Sequence, residues 1–290
     1  MRWQQSRRSE NVEDRRSMGR ISRGGAVGIG GLGLLIVVIG TVFFGQDPAQ
    51  LVSMLEGGAL QQGAPAAGDA STGPQPTDEA SDFVSAVLGD TEDTWGTVFQ
   101  TAGERYDAPN LVLYTDVVQS SCGVMQATTG PFYCPEDQKV YIDLGFMNDL
   151  QRMGATGDFA MAYVIAHEVG HHVQHLIGMD QQVRELQARV SQVDGNRLSV
   201  LLELQADCYA GVWANHAATQ RQLLDQSDVE EGLNAAATVG DDRMMEMAGR
   251  RVQREAFTHG SSEERAQWFR TGLSKGDLEA CDTFAQAGLR

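Results

Sequence analysis

Four of the six histidines fall in one nine-residue run, His167-Glu168-Val169-Gly170-His171-His172-Val173-Gln174-His175. Positions i and i+4 stack on one face of a helix, so His167 and His171 can offer imidazole nitrogens to a single cation, with Glu168 leaning beside it. The surrounding residues supply that helix. Ala162, Ile165, Ala166, Val169, Val173 and Leu176 make an apolar stripe over 158–177, and Gly178 is a C-terminal stop. His175 lies four residues after His171, but eight residues of helix rise about 12 Å, too far for two bonds of about 2.1 Å to one ion from His167 and His175. Only the pair 167/171 has an acid at its second position, where a base that activates water belongs. His172 and His175 read as surface or supporting residues.

A catalytic zinc needs a third protein ligand and one position left to water. A further histidine at 177 with glycine at 174 would supply one known arrangement, but the chain has Ile177 and Gln174. Of the nine glutamates after His171, only Glu203 is followed four residues on by an aspartate, Asp207. Both sit in LSVLLELQADCYAGVWANH, which reads as a second core helix beginning after a break at Asp194-Gly195-Asn196. Carboxylates in an apolar helix are costly unless paired or bound to metal. The expected site is one zinc ion on His167, His171 and Glu203, with Glu168 as general base and Asp207 accepting the second N–H of His167. The plainer alternatives are a histidine-rich helix face and a solvated acidic pair.

Charge is unevenly placed. Residues 1–23 carry seven arginines against Glu10, Glu13 and Asp14, and the whole chain has a formal charge of −17. An acidic body repels phosphate backbones, which argues against nucleic-acid binding. Between Arg23 and Asp47 lie 23 residues without charge, enough to span a hydrocarbon layer of about 30 Å. The expectation is a cytoplasmic tail (1–23), a transmembrane anchor (24–45), a flexible Gly/Ala/Gln/Pro-rich linker (46–79) and a folded domain (80–290). A cleaved signal peptide is the rival reading of the apolar stretch.

All four cysteines, Cys122, Cys134, Cys208 and Cys281, fall in the part expected to be exported, which suits disulfides. Three pairings are open. Cys122 with Cys134 across a short turn-rich loop, leaving Cys208 with Cys281, is the simplest. Two helical pieces are expected between 82 and 106, strands at 111–118 and 139–144, a helical tract near 227–238, and turn-like polar pieces around Trp268 and Phe269.

HEVGHHVQ, RLSVLLELQADCYAGVWA, VGDD at 239–242, FTHGSSEERAQWF at 257–269 and CDTF at 281–284, with MRW and NVEDRR near the start, resemble the neutral zinc metallopeptidase family over nearly the whole chain. The resemblance implies an α+β fold. It would be a zincin-like metallopeptidase domain, a small sheet with the HExxH helix and the ExxxD helix, behind a single N-terminal transmembrane helix. It also implies a bacterial inner-membrane protein with a cytoplasmic N-terminus and a periplasmic or extracellular catalytic domain. His167, Glu168, His171 and Glu203 match the family's motif positions. By analogy with related zincins, His259 is the candidate donor to the oxyanion. The strand around Tyr141-Ile142-Asp143 is the candidate edge for an extended substrate. The implied partners are the membrane and an exported or membrane-adjacent protein or peptide. A non-catalytic zinc scaffold and a metal hydrolase acting on a non-peptide bond are the competing readings.

Overall fold

The computed structural model describes residues 1–17 and 78–289. A short strand, β1 (Val12–Asp14), precedes the first long helix, α1 (Glu79–Thr101), where Asp78 caps the helix by accepting the Ser81 N–H. The two helical pieces expected here form one continuous helix that buries Phe83, Val84, Val87, Leu88 and Trp95. Then come β2 (Asn110–Tyr114), β3 (Val117–Ser120), β4 (Gly123–Gln126), β5 (Phe132–Cys134) and β6 (Lys139–Asp143). The single strand expected over 111–118 is split in two. Asp116 adopts φ 64° and its N–H donates to Asp143 Oδ2 at 2.8 Å, which turns the chain into the β3–β4 hairpin.

The main sheet runs β1-β2-β6-β5, with β1, β2 and β6 parallel and β5 antiparallel to β6. The Cys122–Cys134 disulfide ties the hairpin to β5. Strand β6, expected as the edge for a substrate, is interior because β5 pairs with it; β5 is itself the edge strand.

The remaining helices are α2 (Phe146–Arg152), α3 (Asp158–Leu176), α4 (Met179–Gln187), α5 (Gln192–Thr219), α6 (Gln226–Thr238), α7 (Asp241–Met247), α8 (Ser262–Lys275) and α9 (Thr283–Gln286). The break expected at Asp194-Gly195-Asn196 lies inside α5, which starts earlier because Ser191 Oγ accepts the Asp194 N–H. The segment around Trp268 and Phe269 is helical rather than turn-like. A capping box between Ser261 and Glu264 starts α8, and Phe269 is fully buried.

Helix α3 is buried on nearly every face, with α5 packed along it and α8 packed along α5. Close backbone approach makes this possible. A Cβ on Gly272 would stand 1.9 Å from the Cys208 carbonyl oxygen, so α8 can lie this near α5 only with glycine there. The Cys208–Cys281 disulfide holds the same region.

Residues 1–17 belong to this body and are not a separate tail. Trp3 is buried edge-to-face against Phe83 at 5.5 Å, and β1 is hydrogen-bonded in register to β2. Arg7 reaches Glu92 at 2.6 Å and Asp93 at 2.8 Å, Arg8 reaches Asp82 at 2.5 Å, and Arg16 reaches Asp78 at 2.6 Å. The N-terminal arginines neutralise acids of the domain, so the boundary drawn at residue 80 is corrected. The expected anchor (24–45) lies outside the described residues, as does most of the expected linker. Among the described residues, no helix is long and apolar enough to cross a membrane. A single crossing between residues 17 and 78 would also place the paired strands β1 and β2 on opposite sides of a bilayer. The fold class is therefore corrected to an α+β domain whose described elements include no transmembrane helix.

Candidate metal centre

Glycine sits between the two stacked histidines for a packing reason. A Cβ at Gly170 would lie 3.0 Å from the Ala206 carbonyl oxygen, so its absence lets α5 approach α3 beside His167 and His171. That approach delivers Glu203. Its Oε2 is 3.2 Å from His167 Nε2 and its Oε1 is 3.4 Å from His171 Nε2. Among the described residues, these three side chains form one of two groups whose donor atoms converge within 4.8 Å. The other, Asp158, Asp228 and Glu231, surrounds the start of α3, where the Met1 ammonium lies 2.7 Å from both Asp158 and Asp228.

Each imidazole is held from behind. His167 Nδ1 lies 2.8 Å from Asp207 Oδ1, and Asp207 is completely buried. His171 Nδ1–H donates to Gln174 Oε1 at 2.9 Å, while Gln174 Nε2 donates to the Leu202 carbonyl at 2.7 Å and to Gln205 Oε1 at 3.1 Å. The donor side of the Gln174 amide is thus taken by α5, and its oxygen faces the histidine. Both rings are left with Nε2 on the Glu203 side. His172 and His175 go elsewhere. His172 Nε2–H donates to the Asp107 carbonyl at 2.7 Å and its Nδ1 accepts from Tyr133 at 3.0 Å, while His175 pairs with Asp180 at 3.0 Å.

Electrostatics follow from burial and from this crowding. Burial alone would lower the pKa of His167, but Asp207 and Glu203 raise it to about 10. His171 is raised by Glu203 against the same burial effect. Burial pushes Glu203 up, and the two imidazoles bring it well below the ordinary carboxylate range. Glu168 is shifted upward by burial. Its carboxylate is not one of the three converging donors, yet it lines the same cleft, a cavity of about 610 Å³. Phe132 and Tyr133 of β5 form one border of the cleft, and Asp241, Met244 and His259 form another. His259 is half-exposed, with Nδ1 3.2 Å from Asp241 Oδ1. Asp241 Oδ2 accepts the backbone N–H groups of Thr258, His259 and Gly260 at 2.7, 2.7 and 3.0 Å, which fixes the loop.

Residues 1–284 match the family described as "Putative neutral zinc metallopeptidase". The chain belongs to this family. It is 47% identical over 294 residues to the uncharacterized protein YpfJ of Escherichia coli, covering 99% of this chain and 100% of the relative. It is 38% identical over 222 residues to the uncharacterized proteins Mb2605 of Mycobacterium bovis and Rv2575 of Mycobacterium tuberculosis, covering 73% of this chain and 74% of each relative. No solved structure matches significantly.

Membership of a zinc metallopeptidase family implies zinc, and the donor set fits it. Glu203 stands 3.2 Å from His167 Nε2 through Oε2 and 3.4 Å from His171 Nε2 through Oε1, and one donor atom of each residue lies within 4.8 Å of the others, close enough for the three to share one ion. Two imidazoles and a single carboxylate also leave one position open, as catalytic sites of this metal do. The two disulfides, Cys122–Cys134 and Cys208–Cys281, point to a periplasmic or extracellular location for this family member.

Three residues of the site escaped the sequence reading. Gln174 stands in the sequence only as a departure from another motif. Tyr163 donates its hydroxyl to Asp207 Oδ1, and Arg265 forks onto the same carboxylate through Nε at 2.8 Å and Nη2 at 3.0 Å. Tyr163 reads as one more apolar position on α3, and Arg265 follows two glutamates as if on a solvated helix face. Their partner is 44 and 58 residues away, so no local pattern reveals it.

Proposed function

We propose that this protein hydrolyses peptide bonds with zinc held by His167, His171 and Glu203. The observation that supports this best is the combination of three converging donors with a further buried acid, Glu168, that is not one of them. A closed structural site has no use for an adjacent base. Bound at this triad, zinc would supply the Lewis acidity that makes a water nucleophilic near neutral pH.

The protein's own groups carry the remaining steps. An extended peptide adds along the edge of β5, whose Phe132 and Tyr133 border the cleft, and main-chain hydrogen bonds hold the scissile carbonyl near the triad. Glu168, its pKa raised by burial, accepts a proton from the attacking water and delivers it to the leaving amine. His259, whose pKa is raised by its hydrogen bond to Asp241 through Nδ1, donates Nε2–H in its protonated form to the oxygen that becomes negative. The substrate class is an exported protein or peptide, in keeping with the disulfides. A direct test is to incubate the oxidised protein with zinc and an unbiased peptide library. Zinc-dependent cleavage that a chelator abolishes is expected; high-affinity zinc binding with no peptide cleaved by the wild-type protein would favour the scaffold reading.

A further inference from the structure

A guanidinium offers five N–H donors in a rigid plane and no acceptor, and it keeps its charge at any working pH. Arg265, near the start of α8, is only 4% exposed, so each donor direction has a consequence. Nε and Nη2 take one oxygen each of Asp207, at 2.8 and 3.0 Å, and Nη1 is 3.3 Å from the Val239 carbonyl. This two-point grip fixes the plane of the Asp207 carboxylate as a single contact could not. Asp207 Oδ1 also receives the Tyr163 hydroxyl, and Tyr163 in turn accepts from Arg265 Nη2 at 3.2 Å.

The direction of the next bond follows. Both oxygens of Asp207 are accepting from Arg265, so toward His167 it presents only an acceptor, and the ring proton sits on Nδ1, 2.8 Å away. Arg265 Nη2 also stands 3.4 Å from that nitrogen, but two donors facing one another form no bond, and the shorter contact to Asp207 decides. When the ring gives up its second proton to bind a cation, that proton leaves from Nε2, the atom that faces Glu203 at 3.2 Å, and the lone pair is exposed there.

We propose that Arg265 is a positioning residue for the metal centre: through Asp207, and with Tyr163, it sets the tautomer and plane of His167 so that Nε2 faces the cation. The proposal rests on the zinc reading of the triad. It separates Arg265 from a residue that merely neutralises a buried acid, because a lysine would supply the charge without the fork.

The test is the zinc affinity of the full chain, measured by competition with a chromogenic chelator, with thermal melting as a check on folding. Loss of outer support for a ligand costs about 10- to 100-fold in metal affinity, and that range is expected for Arg265→Met and Arg265→Lys, with a smaller loss for Tyr163→Phe. In an Asp207→Asn background, Arg265→Met should cost nothing further. Where Arg265→Met alone does not fold because the buried Asp207 carboxylate has lost its guanidinium, Arg265→Lys, Tyr163→Phe and the double variant still decide. Wild-type affinity in Arg265→Lys, or an undiminished effect of Arg265→Met in the Asp207→Asn background, overturns the proposal. A wild-type protein that binds no zinc overturns the metal assignment along with it.

Discussion

Glu203 and Asp207 lie one helical turn apart on α5, yet their surroundings give them different tasks. Glu203 meets two imidazoles and opens onto the cleft, whereas Asp207 is sealed behind His167 and held by a guanidinium. On the proposed assignment, losing the first removes a ligand, while losing an outer partner such as Gln174 only frees a ring. Glu203→Ala should therefore lower zinc affinity by more than the about 10- to 100-fold expected for Gln174→Ala, in the same chelator competition. Equal affinities for the two variants would contradict the division of roles. His172 supplies a pH prediction. Burial lowers its pKa from 6.5 to about 4, so between these values the unfolded chain binds a proton that the folded chain refuses, and stability falls as pH falls. From pH 7.5 to 5 the loss due to this group should be about 2 kcal/mol. Urea midpoints of wild type and His172→Gln at both pH values measure it as the difference between the two slopes. The motif histidines and Glu203 were legible because helical spacing and an acid in an apolar run are local signals. Arg265 and Tyr163 were not, since what defines them is a shared partner distant in sequence.

Three helices carry the site, and they meet through backbone. Gly170 admits α5 beside α3, and Gly272 admits α8 beside α5, so the elements bearing the histidines, Glu203 and Arg265 are set by two absent side chains. Gly272→Ala should force α5 and α8 apart and cost about 1–3 kcal/mol, read as a lower urea midpoint. A midpoint within error of wild type would mean that this crossing is looser than described. The periods of α3 and α6 were readable because each has a regular apolar stripe. Helix α8 was not, because its buried face includes a charged arginine that reads as surface until Asp207 is placed opposite. The edge strand was likewise misassigned to β6, because three-residue β5 is too short to show an alternation of its own.

At the scale of the molecule, the basic start of the chain is legible as charge but not as a contact. Seven arginines before an apolar stretch fit an anchored tail; in the structure, Arg7, Arg8 and Arg16 pair with acids of the domain and β1 completes its sheet. A variant joining residue 17 to residue 78 by a short linker should therefore melt higher than 78–290 alone, on the order of 10 °C, given the burial of Trp3 and Val12 and the strand pairing. Equal melting temperatures would remove residues 1–17 from the fold. The joined body presents a cleft containing both the candidate triad and Glu168, and whether it is catalytic turns on Glu168. The most direct measurement compares wild type with Glu168→Gln on a peptide that the wild type cleaves, recording kcat, KM and bound zinc. Zinc content and fold should be unchanged, with kcat lower by about 10² to 10⁴ and little change in KM. Cleavage by Glu168→Gln at the wild-type rate, with zinc still bound, would contradict it.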